Sequence, residues 1–572
     1  MGRIIGIDFG TTNSLVSYIE GDKPKIIPND YNENMTPSVV GQLYIGEYTV
    51  GKVPKRQYIL KPRETIIEIK RLIGRNKEVV MGDIKYSPEQ ISSIIIKKLK
   101  EYAEKYIGEE VIYAVITVPA SFNDLQRKSI IQAGELAGLK IIGIINEPTA
   151  AALAYGINQF EGNKKILIYD LGGGTLDVTV ANIGENIIDI RASRGNNKLG
   201  GKDFDKRIID FIVDDFFYKY GIDLRADKQA MARIKEAAEI AKIELSSVSA
   251  TDIILPFIHS DEYRGPISIN MKLTREKLKQ LIGDLVYSSE KTIMDALDGA
   301  GYKIEDIDMV LPVGGSTNIS CIKDLLKKLF KSKIKFCINP DEAVALGAAI
   351  YGEIKSKERT TKNKVAIFDR CSYSIGISIA VKDSQGRIVN GIFDPIIVKD
   401  SRIPSIKTRT YYTLYNNQTT TEIRVYQGDS EFVDDNLLID RFLIKDIPKG
   451  PAGKEKIEIS FFYDSNGILD VAAKILSNGH MIKKTMNTLK TDKFIQDFEE
   501  KFKYSNWEKS KLAYIAKDTI WICENIIKDL KYIDAIKAEN LLKSLKKAII
   551  INDIDLITKY ESELLNLISN AS

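Results

Sequence analysis

One local pattern occurs twice in this chain, and it restricts the fold more than any other feature. Residues 4–13 read IIGIDFGTTN and residues 166–175 read ILIYDLGGGT. Each copy is an apolar, β-branched run that ends in an Asp and passes at once into a glycine turn with hydroxyls. Glycine lets the backbone approach a ligand and turns its N–H groups toward phosphate oxygens, while an Asp at the strand end can hold a hydrated Mg2+. Two such turns can clamp one triphosphate. A third strand and turn, MVLPVGGST at 309–317, precedes a helical stretch over 321–330 and could approach a nucleoside. A single strand–glycine turn is usually a plain hairpin, so the reading rests on the repetition with Asp. No G-x-x-x-x-G-K-S/T pattern occurs, and a nucleotide is not expected to be held in the P-loop manner.

The pattern of the chain changes three times. To about residue 355, β-branched runs alternate with helical periodicity, the rhythm of α/β layers. The stretch 357–364, KERTTKNK, has no apolar period and reads as exposed linker, followed directly by the apolar run VAIFD at 365–369. From about 371 to 490 strands dominate: Ile375, Ile377, Ile379 and Val381 alternate with small or polar residues, and DSNG at 464–467 separates two β-prone runs as in a hairpin. Beyond 491, Leu512, Ile515, Thr519, Ile522, Ile526, Leu530 and Ile533, then Leu541, Leu545 and Ile549, follow three-to-four spacing and predict a helical bundle. That stripe is read as core, with no chemistry.

Composition narrows the function classes. A chain of 572 residues is long enough for three or four packing units at roughly 100–200 residues each. Its 82 Lys+Arg against 78 Asp+Glu leave a net charge of +4, too balanced for a nucleic-acid partner to be inferred from field alone. There is no run of about 20 uncharged apolar residues, and an Asp interrupts the N-terminal apolar segment, so neither a membrane partner nor a secretory signal is expected. Cys321, Cys337, Cys371 and Cys523 form no CxxC pair and His259 and His480 are the only histidines, a poor basis for a zinc site. Spaced thiols of this kind suit a reducing, cytoplasmic setting, each as a small buried hydrophobe.

Taken together, IGIDFGTTNS (5–14), IKRLIG (69–74), ITVPASFND (116–124), IINEPTAAALAYG (144–156), YDLGGGTLD (169–177), LGGKDFD (199–205) and NPDEAVALGAA (339–349) resemble the DnaK-type 70-kDa heat-shock chaperones. SIGI (374–377), VYQGD (425–429) and DSNGILDV (464–471) extend the resemblance over nearly the whole chain, and 371–376 with 391–397 look closest to the short HscC-like branch. The resemblance implies an actin-like α/β ATPase domain over 1–363, a linker over 364–370, a β-sandwich peptide-binding domain over 371–490 and a helical lid over 491–572. It implies ATP and Mg2+, with K+ a further candidate, and hydrolysis that controls affinity for unfolded or extended peptides.

Residue by residue, the resemblance puts Asp8, Asp170 and Asp177 around hydrated Mg2+ and the attacking water, Asp8 and Asp170 holding the metal through water. Lys70 would stand beside the γ-phosphate and Glu147 at the metal's water shell. Gly10, Thr11, Thr12, Asn13, Thr175, Gly172, Gly173, Gly174, Gly200 and Gly201 would surround the phosphates. Glu239, Lys242, Ser246, Gly314, Gly315, Ser316 and Asp341 would hold the nucleoside, the first three within one arc of a helix. Pro119, Arg127 and Asp369 would carry the signal between domains, and Ile377, Ile379, Ile397, Tyr411 and Thr421 would face the peptide. The family also implies a J-domain co-chaperone and leaves the need for an exchange factor open. Asn318 replaces the family's adenine-stacking Arg, Gly143 replaces an Arg used toward J-domains, and Thr421 replaces an apolar groove residue. Of two rivals, a small-molecule kinase leaves residues 371–572 unexplained, and an actin-like filament ATPase would be expected to end near residue 355.

Overall fold

The computed structural model describes residues 3–44, 47–75, 77–156, 162–184, 186–261, 263–335, 338–357, 365–382, 387–464 and 466–486, separate positions between 516 and 549, and 554–571. The two copies of the glycine-turn pattern become two matching hairpins. Ile4–Asp8 runs antiparallel to Asn13–Glu20, and Lys164–Leu171 runs antiparallel to Leu176–Gly184. Each Asp-ended strand has a parallel neighbour on its other side, Tyr113–Val118 in the first sheet and Met309–Val313 in the second. Ile5, Ile7, Leu167, Ile168 and Tyr169 are all 0% exposed, as continuous apolar strands covered on both faces should be.

Helix Ala343–Lys357 lies across the strand Ile4–Asp8 and against helix Glu147–Ala154. Small residues make this possible: a Cβ on Gly347 would run into the Ala150 backbone, and one on Gly6 into Ala348 and Ala349. Helix Asp124–Leu136 starts at a capping box, Asn123 with Gln126, a device commonly contributing about 1 kcal/mol. That fixed start sets the position of Arg127, one turn in.

Residues 375–485 form two four-stranded sheets. One orders Ile388–Ile397, Ile375–Lys382, Thr421–Gln427 and Leu437–Ile444; the other orders Ser405–Tyr412, Lys456–Tyr463, Leu469–Ile475 and Met481–Thr485. Alternate residues of both meet in one core, including Ile375, Val425 and Ile439 from the first and Ile459, Phe461 and Val471 from the second. The 464–467 turn joins its two strands as expected, with Gly467 at φ +80°, where a side chain would be strained.

Helix Ile554–Ala571 and the buried residues Ala516, Ile520, Cys523, Leu545 and Ile549 share a separate core, with Thr519 buried and Leu541 at its edge. Leu512, Ile515, Ile522, Ile526, Leu530, Ile533, Cys337 and the stretch 358–364 lie outside the described residues. Cys321, Cys371 and Cys523 are buried, and none of the three is joined in a disulfide among the described residues. Among the described residues, no helix is long and apolar enough to cross a membrane.

Candidate functional site

The two Asp-ended turns face each other across a cleft of about 360 Å³. Asp8, Gly10, Thr11, Thr12 and Asn13 line it from one lobe; Asp170, Gly172, Gly173, Gly174, Thr175 and Gly201 line it from the other. The turns are packed against one another. Gly173 leaves no room for a Cβ beside Thr12, and Gly200 none beside the Gly174 backbone, although Gly200 itself does not line the cleft. Gly201 N–H donates to the Gly172 carbonyl at 3.0 Å and Ser316 Oγ donates to the same oxygen at 2.9 Å, so the second turn is held from behind.

Lys70, 6% exposed, stands on the short 3-10 turn Ile69–Leu72 and donates to Glu147 Oε1 at 2.6 Å. Three further carboxylates are buried nearby. Burial pushes Asp8 up to about 7, helped by the Glu147 charge and opposed by Lys70; burial likewise pushes Asp177 up to about 7, and Asp170 is raised well above the usual carboxylate range. Such crowding is a stored demand for positive charge. No three carboxylates, histidines or cysteines among the described residues come together closely enough to hold a metal directly. The group is suited to a hydrated cation. Thr12 Oγ1, buried and without a hydrogen-bond partner among the described residues, is a donor left over for a bound oxygen.

This crowding has a testable sign. Because Asp8 and Asp177 stay protonated in the folded chain to higher pH than when unfolded, the metal-free fold loses stability as pH rises through about 7. In EDTA, melting at about pH 8 should fall several degrees below melting at about pH 6, and Mg2+ with ADP should restore more at the higher pH. A flat or rising profile would show that these carboxylates ionise normally.

The end of the cleft where a nucleoside is expected is lined by Glu239, Lys242, Ser246, Gly314, Gly315, Ser316, Asn318 and Asp341. Glu239 and Lys242 are not a solvated surface pair. Lys242 is buried and bonds Asp205 at 2.6 Å and the Gly201 carbonyl at 3.0 Å, while Glu239 pairs with Lys55 at 3.2 Å and Lys202 at 3.5 Å. Ser246 departs from the single-helix expectation: the helix Lys228–Glu244 ends before it, and it reaches the cleft from the following turn, Oγ 3.4 Å from the Lys242 carbonyl.

The apolar run after the linker is a strand. Ala366–Arg370 pairs in parallel with Ile187–Asp189 and antiparallel with Arg402–Ile403, extending the second sheet. Asp369 accepts from Asn146 Nδ2 at 2.8 Å and Thr149 Oγ1 at 2.9 Å, and Arg127 Nη2 donates to Asn146 Oδ1 at 2.6 Å. Arg127 also donates to the Phe122 carbonyl at 3.1 Å; Pro119 opens that loop, its carbonyl accepting from Phe122 N–H at 3.1 Å. Asn146 and Glu147 are neighbours, so one chain segment touches the linker strand on one side and Lys70 on the other. The sandwich is seated on the first lobe through Tyr373 to the Ser121 carbonyl, Asp124 N–H to Gln427 and Ser372 to the Ala120 carbonyl, and on the second through Arg194 to Asp400 at 2.8 Å and Arg402 to Asp189 at 2.6 Å. Motif reading singled out neither Asn146 nor Thr149, although both lie inside 144–156.

In the sandwich, Ile377 and Ile397 are 3% and 0% exposed and close into the core, with Ile379 and Tyr411 packed at its edge. Neither isoleucine offers an open wall in this conformation, a departure from their expected place on a groove. Tyr411 Oη donates to Asp394 at 2.7 Å, and Thr421 begins its strand opposite Ile444. Gly143 leaves space that Tyr351 fills.

Two matching Asp-ended hairpins closing on one cleft, with a sheet-rich module seated against both lobes, define a nucleotide-driven two-module protein. The Hsp70 protein family model matches residues 4–549, and the chain belongs to that family. It is similar to the chaperone protein DnaK of Thermosipho africanus (strain TCF52B), with 42% identity across 98% of this chain and 94% of that protein. It is an ATP-dependent molecular chaperone with ATPase activity, and the family generally binds ATP with Mg2+. Membership implies an actin-like ATPase domain, a sheet-rich substrate domain and a helical lid, with which the mixed sheets and helices agree.

Proposed function

We propose that the cleft hydrolyses ATP by positioning and charge stabilisation, and that the state of the cleft sets the affinity of the β-sandwich for extended peptides. The observation that carries this is the back-to-back placement of Glu147 on Lys70 and Asn146 on Asp369. Lys70 supplies a compact positive charge at the γ-phosphate; Thr11, Thr12, Thr175 and the backbone N–H groups of Gly173 and Gly174 orient its oxygens, whereas the Gly172 N–H closes the turn on the Thr175 carbonyl at 3.1 Å. Asp8 and Asp170 would hold Mg2+ through its waters, with Glu147 and Asp177 beside them, and the metal when bound neutralises phosphate charge; K+ is a further candidate counter-ion. Glu239, Lys242, Ser246 and Asp341 would orient the nucleoside, and Gly200 and Gly201 bring the second turn close.

A change at Glu147 has a short route outward, through Asn146 to Asp369 and to Arg127 behind Pro119. Ile377, Ile379, Ile397, Tyr411 and Thr421 form the proposed peptide site, opened when the sandwich leaves the first lobe. A J-domain co-chaperone is the expected partner and the cytoplasm the expected setting. Bound fluorescent peptide should dissociate about 5–150 times faster once ATP is added, the range of ordinary coupling energies. An unchanged dissociation rate, read by anisotropy on the full chain, would refute the coupling.

A further inference from the structure

We propose that cleaved phosphate leaves through a second opening behind the phosphate turns, separate from the mouth that admits the nucleotide. This inference rests on the reading of the cleft as the ATP site. A cavity of about 410 Å³ shares Thr11, Lys70 and Thr175 with the cleft, yet none of the nucleoside-side residues. It therefore meets the cleft at its γ-phosphate end. From buried Lys70 and Phe122 its lining runs outward past Arg71 to Arg75, Asn197 and Lys198, all three exposed.

Charge along the lining favours a small dianion. Lys70, Arg71, Arg75 and Lys198 stand against Glu68 and Asp203 alone, and Arg75 and Lys198 have no ion pair among the described residues. A passage lined by one sign of charge raises the local concentration of the opposite ion. ADP still seated in the cleft would lie between the new phosphate and the nucleoside mouth, so the basic passage is the less obstructed route.

Arg71 is placed as its gate. From the first lobe its Nη2 reaches across to the second, bonding the Gly174 carbonyl at 3.2 Å and Asp203 Oδ2 at 2.8 Å. Its Nε is buried with no hydrogen-bond partner among the described residues, a donor available to a passing phosphate oxygen. Loosening the Arg71–Asp203 pair should open the passage, and bulk at its outer rim should narrow it.

The test loads the full chain with Mg2+, ADP and radiolabelled orthophosphate, dilutes it, and follows loss of label and loss of ADP separately by rapid filtration. Asp203→Asn should hasten phosphate loss about threefold or more, the scale of one partly exposed ion pair, and Asn197→Trp should slow it by a similar factor. ADP loss should change less than about twofold in both variants, since neither touches the nucleoside end. ADP retention reports that each variant is folded. A wild-type chain that retains no ADP overturns the cleft reading itself. Retained ADP with phosphate loss unaltered in both variants, or phosphate loss that simply tracks ADP loss, overturns the passage alone.

Discussion

Lys70→Ala is expected to bind ATP and to hydrolyse it about a hundred- to a thousandfold more slowly in a single turnover, the loss of roughly 3–4 kcal/mol of oriented charge. Lys70 is buried at 6% exposure and held in place by Glu147 at 2.6 Å, so its ammonium cannot be replaced by another cation swinging in. It also opposes the upward pKa shift of Asp8, Asp170 and Asp177; without it, four carboxyl groups share the space, and Mg2+ must do more of the neutralising. Some loss of nucleotide affinity is therefore expected beside the larger loss in rate. Lys70→Arg separates charge from shape: a planar guanidinium is too broad for the same point contact, and should recover binding better than rate. Quenched-flow hydrolysis by Lys70→Ala within about threefold of wild type, with ATP bound, would remove Lys70 from the reaction.

Replacing Ile367 and Phe368 together with Asp should uncouple the domains while leaving each able to bind its own ligand. In the docked strand, Ile367 packs against the core of the second lobe and the Arg402 guanidinium lies 4.8 Å from the Phe368 ring centre. Two carboxylates there would meet Asp189, already shared by Arg370 at 3.4 Å and Arg402 at 2.6 Å, and, since both side chains are half-buried, would forfeit roughly half of a full burial, about 1 kcal/mol each. That total is comparable to the usual coupling of about 1–3 kcal/mol, so the docked state should be strongly disfavoured. The expected result is that ATP no longer speeds peptide release, with ATP binding and peptide binding each near normal. A double variant that still releases peptide faster on adding ATP would show that this strand is not the coupling element.

Much of the cleft was legible because its chemistry is local. An Asp at the end of an apolar run followed by glycines is a property of ten consecutive residues, and both copies became the paired hairpins that the text suggests. The sandwich was legible for the same reason, since alternation along Ile375, Ile377 and Ile379 and the 464–467 turn are period-two signals. Positions such as Glu239 and Lys242 were weaker on spacing, because a Glu and a Lys three apart on a helix are usually exposed. Their burial against Lys202 and Asp205 came from the packing of two helices, which spacing within one helix does not report.

By itself the amino-acid sequence determined the repeated strand–Asp–glycine unit, the change from α/β to β to helix, and an apolar segment at 365–369 with no local reason to be exposed. Only the tertiary structure decided what that segment pairs with, since strand addition to Ile187–Asp189 joins residues far apart in the chain. It also decided that Asn146 and Glu147 face opposite ways, that Ser246 enters the cleft from beyond its helix, and that Ile377 and Ile397 close inward. The reason is physical: a sequence period states which face of an element is apolar, whereas the partner of that face is chosen by the packing of the whole chain. Arg71 and Asp203, 132 positions apart, meet only because two sheets are brought together around the cleft.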